Sequence, residues 1–499
     1  MKYVIGVDLG TSAVKMLLVN QNGAVIQEVS KGYPLIQEKS GYSEQNPEDW
    51  VVQTVAGLKE LIKGFDGNPD DIEGISFSGQ MHGLVLLDQE LNVLRNAILW
   101  NDTRTTVECQ EIYHVVGEER LLHITKNPAL EGFTLPKILW VKKHEPEIFE
   151  KAERFVLPKD YVRYRLTGML HMEYSDAAGT LLLNVSEKQW SKEICELFGL
   201  KQSLCPPLVE SHEKVGTIQE EVAGETGLSA STAVFAGGAD NACGAIGAGI
   251  LEDGKTLCSI GTSGVVLSYE PNRDKDYGGK VHYFNHAVAD AYYTMGVTLA
   301  AGYSLTWFKD VFAADEPFEA LLEDVGSVDI GSGGLLFTPY LVGERTPYAD
   351  ANIRASFIGM DSSHERKHFV RAVLEGITLS LNESIAIFRK NGKNIDTVIS
   401  IGGGAKSETW LQIQADIFNA QIVRLNSEQG PGMGAAMLAA YGCGWFESLK
   451  ACADQFLQVD KTFTPIPENV VKYQELYRIY KDIYSTTKDT NHQLAAFRK

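Results

Sequence analysis

Residues 249–256 read GILEDGKT, which fits the G-x-x-x-x-G-K-T pattern of loops that cradle nucleotide phosphates. Such a loop works between a buried strand and a helix whose N-terminus points at the phosphates. Here LCSIGTSGVVLSY follows Lys255 and reads as strand, turn and strand, while Glu252 and Asp253 would stand beside a polyanion. The stretch is therefore read as a hinge over 248–254, with Lys255 solvated. Better phosphate candidates are Gly10, Thr11 and Ser12, and again Gly261, Thr262 and Ser263. A tight glycine turn exposes successive backbone N–H groups, hydroxyls add donors, and such a concavity binds an anion without lysine. Asp8 stands just before the first turn, where a carboxylate serves Mg2+ beside phosphates or simply shapes the turn. Lys15 on the return strand either touches a phosphate or lies on the surface. In the GGGA run, Gly403, Gly404 and Ala405 allow close approach of a flat or anionic ligand, or mark plain helix–strand packing. Asp240, in GGADN, is placed to accept a hydroxyl proton and equally suits a helix N-cap. Met81 and His82, between the glycines of GQMHG, either contact a polar ligand or are merely packed.

These residues need elements to hold them. Residues 3–7 and 14–19 are apolar, β-branched runs joined by DLGTS, and Asn22 and Gly23 turn the chain into a third strand over 24–28. Asn46, Pro47, Glu48 and Asp49 then start a helix whose apolar face is Trp50, Val51, Val55, Leu58 and Ile62. Strands over 72–78 and 84–87 flank GQMHG, and a buried strand over 233–236 precedes GGADN. After about residue 250 the pattern restarts: strands over 257–260 and 265–269 flank GTSG, and a strand over 395–401 runs into GGGA and a helix bearing Trp410, Leu411, Ile413 and Ile417. VDLGTS at 7–12 parallels CSIGTS at 258–263, so an internal duplication is expected. Tyr473, Leu476, Tyr477, Ile479, Tyr480 and Ile483 lie at helical spacing in a terminal packing helix.

A chain of 499 residues is too long for one core, and its net charge of −20 disfavours nucleic acid and anionic membrane as partners. The 7 cysteines form no C-x-x-C pair and no zinc-ligand spacing, which reads as scattered thiols in a reducing compartment. No cleavable apolar leader is seen in MKYVIGVDLG, and the uncharged run 291–308 reads as a strand followed by a helix start. A cytoplasmic protein is expected.

The chain resembles the FGGY family of carbohydrate kinases. The likeness runs through VDLGTSAVK, SGQMHGLVLLD, ILWNDTR, GFTLPKILWVKKHEP, DYVRYRLTG, SDAAGT and GGADN in the first half, then GTSG, PYLVGERTP and GGGAKSETWLQIQADIF. It implies an α/β fold of two actin-like (ribonuclease H-like) domains, 1–247 with most of the sugar site and 255–445 with most of the nucleotide site. The hinge 248–254 joins them and a helical segment, 446–499, follows. By the same resemblance Asp240 is the catalytic base, Met81 and His82 contact the sugar, and Asn241 and Asp102 lie near it. Asp8, Thr11, Ser12, Lys15, Gly261, Thr262 and the GGGA residues fall on the Mg2+ and ATP positions. Glu344 and Arg345 either stabilise closure or pair with each other on the surface. Residues 79–83 contain no Lys or Arg, which suits an uncharged sugar better than a sugar acid. Rivals are the same chemistry on another ketose or polyol, a sugar-independent actin-like ATPase, and a sugar-binding regulator. Families with this fold often form dimers, so a homodimer is carried as an expectation that no residue specifies.

Overall fold

The computed structural model describes residues 1–426 and 429–498. β1 (Tyr3–Leu9) and β2 (Ala13–Asn20) form an antiparallel hairpin, and the Asn20 side chain accepts the N–H groups of Asn22 (2.9 Å) and Ala24 (3.1 Å) to turn the chain into β3 (Val25–Gly32). α1 (Pro47–Lys63) begins with Asn46 accepting from Glu48 N–H (3.2 Å), proline at the first position and acids at the positive end of the helix. Its stripe of Trp50, Val51, Val55, Leu58 and Ile62 is buried. β4 (Ile72–Gly79) then pairs in parallel with β1. After α2 (Thr134–His144), α3 (Pro158–Thr167) and α4 (Tyr174–Ala178) come β5 (Lys214–Thr217), β6 (Ala233–Phe235) and β7 (Gly238–Ala239). The sheet order is β5-β6-β4-β1-β2-β3, with β7 paired to the end of β4.

α5 (Asp240–Gly247) leads to the second sheet, built from β8 (Gly254–Ile260), β9 (Gly264–Glu270), β10 (His282–Asn285), β11 (Tyr292–Thr298), β12 (Ile395–Gly402), β13 (Gln421–Leu425) and β14 (Val459–Phe463). Their order is β10-β11-β9-β8-β12-β13-β14. Each sheet thus repeats one plan. An antiparallel meander (β1-β2-β3; β8-β9-β11) is extended by two parallel strands (β4 and β6; β12 and β13) and closed by an antiparallel edge strand (β5; β14). The duplication expected from the paired G-T-S motifs is present in the topology. α6 (Gly302–Phe312) follows β11, so the run 291–308 is a strand and a helix start, and no helix among the described residues is long and apolar enough to cross a membrane.

α7 (Arg366–Lys390) and α8 (Glu408–Phe418) cover the second sheet, but α9 (Gly430–Gly442) returns to the first. Small residues permit this. A side chain at Gly6 would meet Gly432 O at 2.1 Å, and one at Gly434 would meet Cys243 O at 1.8 Å. α5 and α9 therefore lie backbone to backbone where the halves meet. In the final helix α10 (Pro467–Leu494), Tyr473, Tyr480 and Ile483 are buried, whereas Ile479 is 59% exposed and stands off the packing stripe assigned to it from spacing.

Candidate active site

Asp240 is the first residue of α5, and the pairing of β7 with β4 (Ala239 opposite Gly79) sets it beside the turn carrying Met81 and His82. Ala239 occupies the N-cap position, so the capping role considered for Asp240 is corrected. Its Oδ1 instead accepts from Asn241 N–H (2.7 Å) and Nδ2 (3.1 Å). Burial, and then the negative charge of Asp8, push its pKa up to about 7. Asp8, on β1 between Lys15 of β2 and Ser78 of β4, is also raised by burial, which those two neighbours partly offset. The Asp8 charge is thus near enough to Asp240 to raise its pKa, while Ser78 and Lys15 offset part of the burial of Asp8 itself. Among the described residues no group of three or more His, Cys, Asp or Glu could hold a metal. Mg2+ needs only one or two carboxylates when substrate phosphates and water complete its shell, and Asp8, with the Asp240 carboxyl near enough to feel its charge, fits that requirement.

Behind Asp240 lies a buried ionic cluster that charge patterning in the sequence does not announce. Lys159 Nζ reaches Asp160 (3.0 Å), Glu173 (3.1 Å) and Asp176 (2.6 Å), all fully buried. Arg163 bridges from Asp160 to Ala236 O, and Ser175 Oγ accepts from Ala239 N–H (2.9 Å) while donating to Glu173 (2.7 Å). The cluster holds the backbone that delivers Asp240. Breaking such a buried group by removing one member is costly.

His82 has a left-handed backbone (φ 68°) that a non-glycine residue adopts only when held there. Thr134 Oγ1 (3.1 Å) and Lys137 Nζ (3.0 Å), both from α2, donate to its carbonyl. Its ring packs on Phe133, 4.6 Å between centroids. Because a carbonyl only accepts, the contact of Nδ1 with Gly179 O (2.6 Å) fixes the proton on Nδ1 and leaves Nε2 an acceptor. Burial, with Lys137 and Arg345 as nearby cations, lowers the imidazole pKa to about 3, so the ring is neutral near pH 7. Met81 is buried, with Asn241 Nδ2 3.6 Å from its Sδ. Asp240, Asn241, Met81 and His82 therefore come together.

Asp102, expected near the sugar, has a carboxylate already engaged by its neighbours. Its carboxylate, 1% exposed, is filled by Ser43 N–H (2.6 Å), Arg104 N–H (3.0 Å) and the Arg104 guanidinium (2.7 Å from Nη2). Arg104 is in turn fixed over Tyr42 (3.7 Å) and Trp140 (4.8 Å) and paired with Glu44. Glu344 and Arg345 form no surface ion pair. Glu344 is buried, accepts Leu299 N–H (3.1 Å) and Arg345 N–H (2.8 Å), and has a pKa pushed up to about 7 by burial. Lys137, buried against His82, was not singled out from sequence. A lone lysine on an otherwise apolar stretch is its only signal.

The two G-T-S turns present similar faces. In the second, Gly261 and Thr262 carbonyls accept from Gly302 N–H (2.8 Å) and Tyr303 N–H (3.1 Å) at the start of α6. In both turns the N–H groups of the Thr and the following Ser donate to no group among the described residues, which suits an anion. The GGGA turn lies against β8. A side chain at Gly404 would meet Ile260 Cδ1 at 2.6 Å, and Ala405 points into the core. Gly261, Thr262, Tyr303, Gly403, Gly404 and Trp410 are among the residues around a cavity of about 580 Å3, within the range of small-molecule sites. Lys15 is held by Glu28 (3.1 Å) and Gln429 (2.9 Å). In GILEDGKT, Lys255 lies inside β8 and pairs with Glu252 (3.0 Å), with no helix after it. Gly249 (φ 73°) and Gly254 (φ 86°) bound the link between the halves.

Two domains of one topology, each with a glycine turn after its first strand, define an actin-like (ribonuclease H-like) phosphotransferase architecture. The chain belongs to the FGGY family of carbohydrate kinases, whose N-terminal domain matches residues 3–247 and whose C-terminal domain matches residues 256–443. It is 64% identical, over the full length of both chains, to the xylulose kinase of Bacillus subtilis (strain 168). Its structure resembles that of a ligand-bound xylulose kinase from Lactobacillus acidophilus (TM-score 0.93, 30% identity, 99% of this chain and 100% of that one). It is also similar to a gluconate kinase from the same organism (TM-score 0.92, 31% identity, 97% and 98% covered). Fold alone therefore does not choose the sugar.

Proposed function

We propose that the protein transfers the γ-phosphoryl group of ATP to the terminal hydroxyl of D-xylulose, giving D-xylulose 5-phosphate and ADP. The observation that carries the chemistry is the placing of Asp240 and Asn241 against the Met81–His82 turn, with the Asp8 charge near enough to raise the Asp240 pKa. The full-length identity to the Bacillus enzyme supports the sugar. His82 Nε2 accepts a sugar hydroxyl. Thr11 and Ser12 from one half and Gly261 and Thr262 from the other grip the phosphate chain, and the 580 Å3 cavity beside Gly403 and Gly404 takes the base. Asp240 orients the hydroxyl and takes its proton as the sugar O–P bond forms and the β,γ-bridging P–O bond breaks. Positioning and charge neutralisation supply most of such a rate. Mg2+, held by Asp8 with the phosphates, supplies charge neutralisation when bound. Closure about 248–254 keeps water from competing as acceptor. Phosphorus NMR of the product is the test: a single phosphomonoester on C5 is expected, and inorganic phosphate alone would overturn the reading.

A further inference from the structure

The two phosphate-facing turns are alike in sequence but are held differently. In the second turn, backbone amides of α6 take up the carbonyls of Gly261 and Thr262. Among the described residues no helix start bonds the first turn, where side chains do most of that work. Gly10 O accepts from the Tyr33 hydroxyl and from Gln80 Nε2 (3.4 Å), Thr11 O accepts from Gln45 Nε2 (2.6 Å), and Ser12 O accepts from Tyr33 N–H (3.2 Å). Thr11 Oγ1 donates to Gln80 Oε1 (3.4 Å) and accepts from Trp100 Nε1 (2.9 Å). The two amides are joined, Gln80 Nε2 donating to Gln45 Oε1 (3.2 Å), where Trp50 Nε1 also donates (3.0 Å). Gln80 N–H donates to Leu9 O (2.9 Å). Gln45 and Gln80 are 1% and 2% exposed, so their polar atoms have no recourse to water.

Gln80 immediately precedes Met81 and His82. Its backbone belongs to the sugar turn, and its side chain to the turn that would face the phosphates. Pulling the carbonyls of Gly10 and Thr11 inward also aims the intervening N–H groups outward, since each peptide plane is rigid. We propose that Gln80, with Gln45 behind it, is a positioning residue that registers the sugar turn against the first phosphate turn, so that the acceptor hydroxyl and the transferred phosphoryl group meet in line. The inference rests on the phosphotransferase reading above.

Full-length Gln80→Met and Gln45→Met proteins, which keep bulk and lose the amide, test it. ADP release from Mg-ATP is measured with and without D-xylulose, beside both KM values and thermal melting. Stimulated turnover is expected to fall about 10- to 100-fold in both variants. The KM for D-xylulose should stay within about threefold, the signature of an interaction realised in the transition state, and the ratio of stimulated to unstimulated release should collapse. Lower melting with that ratio and both KM values preserved would reduce Gln80 to a structural role and overturn the proposal. A raised D-xylulose KM alone, at full turnover, would make Gln80 a sugar ligand and overturn it equally. Should Gln80→Met not fold, Gln45→Met, outside the sugar turn, decides. A wild-type enzyme indifferent to D-xylulose would count against the substrate reading instead, and the same ratio is then read with whichever sugar stimulates it.

Discussion

The Asp240→Asn protein is expected to fold and to bind both substrates, yet to phosphorylate sugar about 10^2- to 10^4-fold more slowly, the usual contribution of a positioned general base. Asparagine keeps the shape and can still accept from Asn241, but it cannot take a proton. The pKa near 7 adds two consequences. In kcat/KM of the wild-type enzyme, an acid limb near pH 7 should report Asp240 ionising, and Asp240→Asn should lack it. Stability moves the other way. A carboxyl whose pKa is raised on folding contributes most below its unfolded value of 3.8 and loses that contribution as pH rises through about 7. Metal-free wild-type protein should therefore lose melting temperature between pH 4 and pH 8 relative to Asp240→Asn. Near-normal turnover in the variant, or parallel melting profiles, would remove Asp240 from its role.

Asp8→Asn should be the second severe substitution, lowering turnover about 100-fold, the scale seen when a group stabilising transition-state charge is lost. Its Mg2+ requirement should rise, because the carboxylate proposed to hold the ion is gone. It also carries a signature at a distance. Asp8 is the second cause, after burial, of the raised Asp240 pKa, so the acid limb of kcat/KM should shift to lower pH in Asp8→Asn. Paired pH–rate profiles and Mg2+ titrations check this. An unmoved limb together with unchanged Mg2+ dependence would place Asp8 in a purely structural turn.

Much of the frame could be read from local pattern. The β-branched runs around DLGTS and SIGTS, the Asn46 cap with Pro47, and the strand leading into GGGA each carry their signal within a few residues, and each formed the expected element. What escaped depends on partners far along the chain. Gln45 and Gln80 look like ordinary polar residues until a fold brings them, 35 positions apart, onto one turn. Asp102 sits in a motif near the site, but its neutralisation depends on Arg104 being pinned by Tyr42, Glu44 and Trp140. The charges at 159, 160, 163, 173 and 176 resemble a solvated face in sequence, and only packing shows them buried behind Asp240. α9 looks like a continuation of the second half, yet its glycines fit it to the first sheet.

The most direct test of the central claim is ADP release from Mg-ATP by the purified protein, first without sugar and then with D-xylulose, L-xylulose, D-ribulose, glycerol and gluconate in turn. The account predicts low release without sugar and strong stimulation by D-xylulose above the other four. Hydrolysis at the same rate with and without every sugar would contradict it.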